Sequence, residues 1–178
     1  GSYPWVHANT SVANLTGNLT VEAWVYYHTF GFSFIYSSRG SSGDYTGMNL
    51  NTWDNNRLNF NVGNGTASFG VASLAQPTTG VWHHVVGTYN GTAVALYVDG
   101  IFQGAAAFYG TPAVDGRCVY FGAYGKAWDG TACPDSSSYF LTGNLDEVAV
   151  YNRSLSAAEI WDHAHFWTTD SSGNSNTG

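Results

Sequence analysis

Short stretches of alternating apolar and polar residues, broken by Gly, Asn, Asp and Ser, recur along most of the 178-residue chain. A period of two puts successive side chains on opposite faces of an extended backbone, so the pattern predicts half-buried β-strands joined by turns. It is clearest from Val81 to Ala106. There Val81–Tyr89 reads as a strand, Asn90-Gly91 as a tight turn, Ala93–Val98 as a second strand, Asp99-Gly100 as another turn and Ile101–Ala106 as a third strand. Asn-Gly and Asp-Gly supply the positive φ angles of two-residue hairpin turns, which predicts an antiparallel three-strand meander. Leu19–His28 predicts another strand, with Val21, Ala23, Val25 and Tyr27 on one face and Thr20, Glu22, Trp24 and Tyr26 on the other. Bulk on both faces makes it central in its sheet, and Trp24, Trp82 and most tyrosines are expected in the core. Further strands are expected at Phe32–Ser37, Gly47–Asn51, Arg57–Val62, Ala67–Val71, Cys118–Ala123 and Asn144–Tyr151. One helix stands out near the C-terminus: Ser156-Ala157-Ala158-Glu159 is a capping box, and Ile160–Phe166 continues it. The elements add up to an all-β sandwich or barrel with one short C-terminal helix.

Composition narrows the function. With 44% apolar residues the chain is one domain's worth of material, able to bury a core of its own. It carries 5 basic and 12 acidic residues, a net charge of −7, and Lys126 is its single lysine. Nucleic-acid binders neutralise a polyanion with clustered Lys and Arg, so nucleic acid is excluded as a partner, and an anionic membrane surface is disfavoured likewise. No apolar run approaches the roughly 20 residues needed to span a bilayer, so membrane insertion is not expected, and the N-terminal residues read as no signal peptide. Cys118 and Cys133 stand either as a disulfide, closing a loop worth about 3 kcal/mol, or as two buried thiols. Low charge and high aromatic content accord with the disulfide and with a place outside the cytosol.

Four segments resemble, in order, the bacterial-type laminin-G-like domains of the concanavalin A-like lectin and glucanase superfamily. They are Leu19-Thr20-Val21-Glu22-Ala23-Trp24-Val25; Trp82-His83-His84-Val85-Val86-Gly87-Thr88-Tyr89-Asn90-Gly91-Thr92; Leu96-Tyr97-Val98-Asp99-Gly100; and Gly143 to Ser156 with Ala157-Ala158-Glu159-Ile160 behind it. The resemblance implies a jelly-roll sandwich of two antiparallel sheets over residues 1–167. It also implies a structural calcium held by Asp146, Asp170 and Asn174. Family domains open with a segment similar to Asp170–Gly178, which here closes the chain. Residues 168–178 are therefore expected to dock on the same domain where that opening segment would lie, the alternative being a linker. An unpaired edge left by the family's first strand would make a strand-exchanged oligomer plausible.

Catalytic signatures are missing. Glucan-cleaving members resemble one another in a Glu-x-Asp-x-x-Glu strand, and nothing here matches it. A glycosidase needs two carboxyl groups about 5 to 9.5 Å apart across the scissile bond. Asp146 and Glu147 are neighbours on a strand and point to opposite faces, Glu22 reads as family framework and Glu159 as a helix cap. Neither His83-His84 nor His163 with His165 has the spacing that sets two imidazoles on one metal, and no Gly-x-Ser-x-Gly elbow occurs. The chain is not read as an enzyme. For binding, loop aromatics matter, because a sugar's C–H face stacks on a ring while Asn, Asp and Arg address its hydroxyls. Two loops qualify: one carries Arg39 and Tyr45 with Trp53 beyond them, the other Tyr124, Trp128 and Asp129. The first reading is a non-catalytic, lectin-like carbohydrate-binding module of a secreted or cell-surface protein, with a glycan as partner. The second is a protein-adhesion or spacer domain of a surface array that meets other cell-surface proteins.

Overall fold

The computed structural model describes residues 6–8, 15–38, 45–53, 55–114, 118–125 and 137–165. The strands are β1 (Val6–Ala8), β2 (Leu19–Tyr27), β3 (Ser33–Ser37), β4 (Met48–Thr52), β5 (Leu58–Gly63), β6 (Ser68–Ala72), β7 (Trp82–Tyr89), β8 (Ala93–Val98), β9 (Ile101–Ala107), β10 (Val119–Phe121), β11 (Tyr124–Gly125), β12 (Ser137–Ser138) and β13 (Gly143–Tyr151). One helix, α1 (Ala157–His165), comes after β13. Sheet A has the order β1-β10-β3-β4-β5-β6 and sheet B the order β13-β2-β7-β8-β9, while β11 and β12 form a small ribbon. Every pairing is antiparallel. The result is the expected jelly-roll sandwich.

The inner faces carry the core. Val21, Ala23, Val25 and Tyr27 of β2 and Val85 of β7 pack with Ile35, Tyr36, Leu50, Phe60 and Val62 of sheet A. Removing this apolar surface from water is the main drive for sheet-on-sheet assembly. A Cβ on Gly87 would lie 2.2 Å from the Phe60 ring, so a bare backbone is what lets the ring seat against β7.

The two turns of the meander are different devices. Asp99 and Gly100 both have positive φ, 53° and 75°, and Val98 pairs directly with Ile101, as a two-residue turn requires. At Asn90-Gly91 the expectation fails, because only Gly91 has positive φ and β8 begins at Ala93. The Asn90 side chain takes over: its Oδ1 accepts from the Thr92 N–H, the Thr92 hydroxyl and the Ala93 N–H. Asn64-Gly65-Thr66-Ala67 repeats the same tetrapeptide with the same three bonds to Asn64 Oδ1. Four residues thus dictate one turn at two places, through a side chain that mimics a backbone acceptor.

Helix α1 covers the outer face of sheet B. Ser156 and Glu159 form the capping box, with the Ser156 N–H donating to Glu159 Oε2 over 2.8 Å and the Glu159 N–H to Ser156 Oγ over 3.2 Å. Leu155 and Ile160 are buried against Val86, with Tyr97 and Tyr151 beside them. Thr20 fixes the approach, donating to the Arg153 carbonyl and accepting from the Leu155 N–H, each at 2.9 Å. Trp24 and Trp82 are not in the core. The phase of β2 turns Trp24 outward, where it packs on His84 at 5.2 Å, and Trp82 is 42% exposed with its edge against Tyr26. Strand phase, not ring size, decides the face. A register shift between Asp146 and Ala149, with Glu147 at φ 47°, also replaces the simple alternation expected of Asp146 and Glu147; both side chains are exposed.

Candidate functional site

The outer face of sheet A arises from the same alternation. In Met48-Asn49-Leu50-Asn51-Thr52 and Leu58-Asn59-Phe60-Asn61-Val62 the apolar residues point into the core, so all four asparagines point out. Two cross-strand rows result: Tyr120, Ser37, Asn49, Asn61 and Gly70 in one, Phe34, Asn51, Asn59 and Ala72 in the next. A register shift at β3 makes Ile35 an extra residue, which lets Phe34 face outward while Ile35 and Tyr36 both reach the core. Ser37 Oγ donates to Asn49 Oδ1 at 3.0 Å, and the Asn59 amide donates to the Arg57 carbonyl at 2.8 Å. Asn49 and Asn51 are buried, whereas Asn59 and Asn61 are half-buried.

One end of this face is aromatic. Phe32 packs on Trp53 at 4.8 Å, on Tyr139 at 4.5 Å and on Phe34 at 5.3 Å, and Phe34 packs on Tyr124 at 4.7 Å. Phe34 is buried as the floor of the cluster, while Trp53 is 52% and Tyr139 49% exposed. Trp53 and Arg57 close the β4–β5 hairpin: the Trp53 N–H donates to the Arg57 carbonyl, one step beyond the Thr52–Leu58 pair, so their side chains share the outer face. Rings for stacking, amides for hydroxyls and a guanidinium thus meet on one surface.

Of the residues expected to bind ligand, the fold brings Trp53 and Tyr124 into this cluster. Tyr45 lies at the opposite end of β4, its carbonyl accepting the Gly65 N–H at 2.7 Å. Arg39, Trp128 and Asp129 lie outside the described residues, as do the expected calcium ligands Asp170 and Asn174 and Cys133. Cys118 is buried. Asp146 is exposed, with its Oδ1 accepting the Glu147 N–H at 2.8 Å. Among the described residues no three His, Cys, Asp or Glu side chains could hold a metal ion. Sequence reasoning misses Phe32, Phe34, Tyr139 and the four asparagines as site residues. Two consecutive strands with asparagine at every second position are the signal that points to the amides.

The outer face of sheet B holds the titratable groups. Glu22 is buried and takes the Tyr151 hydroxyl at 2.6 Å on one oxygen; His163 Nδ1, at 3.0 Å, and His84 Nε2, at 3.5 Å, approach the other. Burial alone would raise its pKa, but the bonds to His84, His163 and Tyr151 outweigh that and hold it at about 2. His83 bridges Asp99 Oδ2, at 2.7 Å from Nδ1, and Thr78 Oγ1, at 3.0 Å from Nε2, beside a cleft of about 240 Å³. The Asp99 hydrogen bond raises the His83 pKa against the opposing effect of burial. Asp99 Oδ1 also accepts the His84 N–H, so this chain ties the β8–β9 turn to β7 and to the segment before it.

Comparison with known proteins agrees with the architecture. The family model described as the concanavalin A-like lectin/glucanases superfamily, of laminin-G type, matches residues 1–161. No curated protein matches in sequence. Among solved structures, the chain resembles domain 4 of AbnA, a GH43 extracellular arabinanase from Geobacillus stearothermophilus solved with arabinotriose. The two are 18% identical over 86% of this chain and 69% of that one, with a TM-score of 0.63. The CBM40 of the Ruminococcus gnavus IT-sialidase, bound to α2,3 sialyllactose, is 13% identical over 88% and 91% of the two chains, with a TM-score of 0.67. Domains LG4-5 of the mouse laminin α1 chain are 17% identical over 86% of this chain and 40% of that one, with a TM-score of 0.65. At such identities the likeness is one of fold.

Proposed function

The chain belongs to the concanavalin A-like lectin/glucanases superfamily, and from that premise we propose that it is a non-catalytic carbohydrate-binding domain whose sugar face is the outer surface of sheet A. The observation that carries this reading is the Phe32–Phe34–Trp53–Tyr124–Tyr139 cluster beside the half-buried amides of Asn59 and Asn61. Exposed rings supply stacking area for the C–H face of a sugar, and the amides supply paired donors and acceptors for its hydroxyls. Two solved relatives of this fold hold an oligosaccharide, arabinotriose in one and sialyllactose in the other. On sheet B, α1 packs over Val86, Tyr97 and Tyr151, and the rings left at its edge, Tyr26 and Trp82, stand without a comparable row of asparagines.

Secretion or surface display accords with the reading, as does a Cys118–Cys133 disulfide restraining the segment beyond Tyr124. A structural calcium would draw on Asp146, whose exposed carboxylate lies at the β13 bulge, together with Asp170 and Asn174. It would tie the C-terminal segment to sheet B and supply no chemistry.

A glycan-array screen of the domain, with calcium and with EDTA, tests both proposals. Binding to a coherent glycan class that falls at least about fivefold in Trp53→Ala is expected, since one stacked ring contributes about 1 kcal/mol. No binding under either condition would sink the carbohydrate reading and favour an adhesion or spacer role. A melting temperature unchanged by EDTA would remove the calcium.

A further inference from the structure

Among the described residues, the charges of this acidic domain are distributed unevenly between its two sides. The acidic residues among those described are Glu22, Asp99, Asp146, Glu147, Glu159 and Asp162. All lie in β2, the β8–β9 turn, β13 or α1, on the sheet B side. The described part of sheet A and its hairpins carries one charged side chain, Arg57. The other described cation, Arg153, is committed to Glu159 at 2.7 Å, whereas among the described residues Arg57 has no ion pair and is exposed. Asp44, Asp54, Asp115, Asp129, Asp135 and Asp170 lie outside the described residues, as do Arg39, Arg117 and Lys126.

Position adds to charge. Arg57 stands opposite Trp53 on the hairpin, on the face that carries the ring cluster, and one residue pair before Asn59. Side chains directly opposite on an antiparallel pair have Cβ atoms about 5 Å apart, close to the width of one sugar ring. A pyranose stacked on the Trp53 indole would therefore place a ring substituent within reach of the guanidinium. A guanidinium presents a planar fork of donors that fits a carboxylate or a sulfate better than a lone hydroxyl. The described acidic groups stand on the far side of the sandwich from Arg57, and the exposed ones are screened by physiological salt, whose Debye length is about 8 Å.

From this we infer that the sugar face selects an acidic glycan, one whose carboxylate or sulfate is held by Arg57 while its ring stacks on Trp53. The inference rests on the carbohydrate-binding reading above. It requires a salt-sensitive affinity in a domain whose net charge is −7.

The test uses the intact domain on an array of neutral, uronate-bearing, sialylated and sulfated glycans. Trigalacturonate and its methyl ester, in which each carboxylate is neutralised by a methyl group, are then titrated at about 0.05 M and about 0.5 M salt. The expected result is preference for acidic glycans and loss of affinity by about tenfold in Arg57→Gln, with the melting temperature unchanged. The array separates carboxylate from sulfate. Binding confined to neutral glycans, or acidic binding untouched by Arg57→Gln, would overturn the inference and leave the carbohydrate reading in place. No glycan binding at all would overturn both.

Discussion

Sheet A and sheet B each turn polar side chains away from the shared core, and the two outer faces end in opposite states. On sheet B, the buried Glu22 carboxylate is met by Tyr151, His163 and His84, so its accepting capacity is taken up within the chain, while His84 Nδ1 has no partner. On sheet A, Asn59 and Asn61 stay half-buried beside exposed rings, with a single cation among the described residues. The difference lies in the continuation of one strand: β13 runs into a capped helix that folds back over its own sheet. A polar face that finds its partners inside the fold becomes framework, whereas half-buried amides beside exposed rings are the feature on which the proposed sugar face rests.

The contrast can be broken most sharply at Glu22. Glu22→Ala leaves the buried His84 and the Tyr151 hydroxyl without their acceptor and is expected to lower stability by about 3 to 5 kcal/mol, read from chemical denaturation, while the fraction that folds still binds sugar. Wild-type stability should also fall in acid. The Glu22 pKa is lowered by folding, so its contribution is complete above about 4.5 and is lost as pH drops from there towards about 2. Glu22→Gln should flatten that limb of the pH profile.

A smaller effect, about 1 to 2 kcal/mol, is expected for Asp99→Asn, which weakens the bond to His83 and the one to the His84 N–H. The sign of its pH dependence is opposite. The His83 pKa is raised by folding, so the contribution is present below about 6.5 and is lost as pH rises through the elevated value. A denaturation series across neutral pH should show that loss in the wild type and not in Asp99→Asn. Ser156→Ala removes one half of the capping box and should cost about 1 kcal/mol. Trp53→Ala on sheet A should change stability by no more than about 0.5 kcal/mol while weakening sugar binding, which would mark the two faces as serving different ends. Equal destabilisation by Trp53→Ala and Glu22→Ala would erase the distinction.

Most of the strands, the Asp99-Gly100 turn and the capped helix are legible in the amino-acid order alone, because each is written in a local period or a short motif; β1, β11 and β12 are not, and the pattern leaves sandwich and barrel open until the family resemblance chooses the sandwich. Alternation places Val21, Ala23 and Val25 inside whatever sheet they join, and the Ser156 and Glu159 side chains reach their targets within one helical turn. The same local logic, applied to Asn49, Asn51, Asn59 and Asn61, already puts four amides on one face. Which face stays open is decided in three dimensions. Trp53, Phe32, Tyr124 and Tyr139 come from separate segments, and only the pairing of β3 with β4 and the return of the chain through residues 137–141 bring their rings together. His84 and His163 are 79 positions apart and show no metal or catalytic spacing, yet both reach Glu22 once α1 lies on sheet B. Local rules act over a few residues, whereas a site depends on which distant segments pack together, and that is set by burial of the whole core.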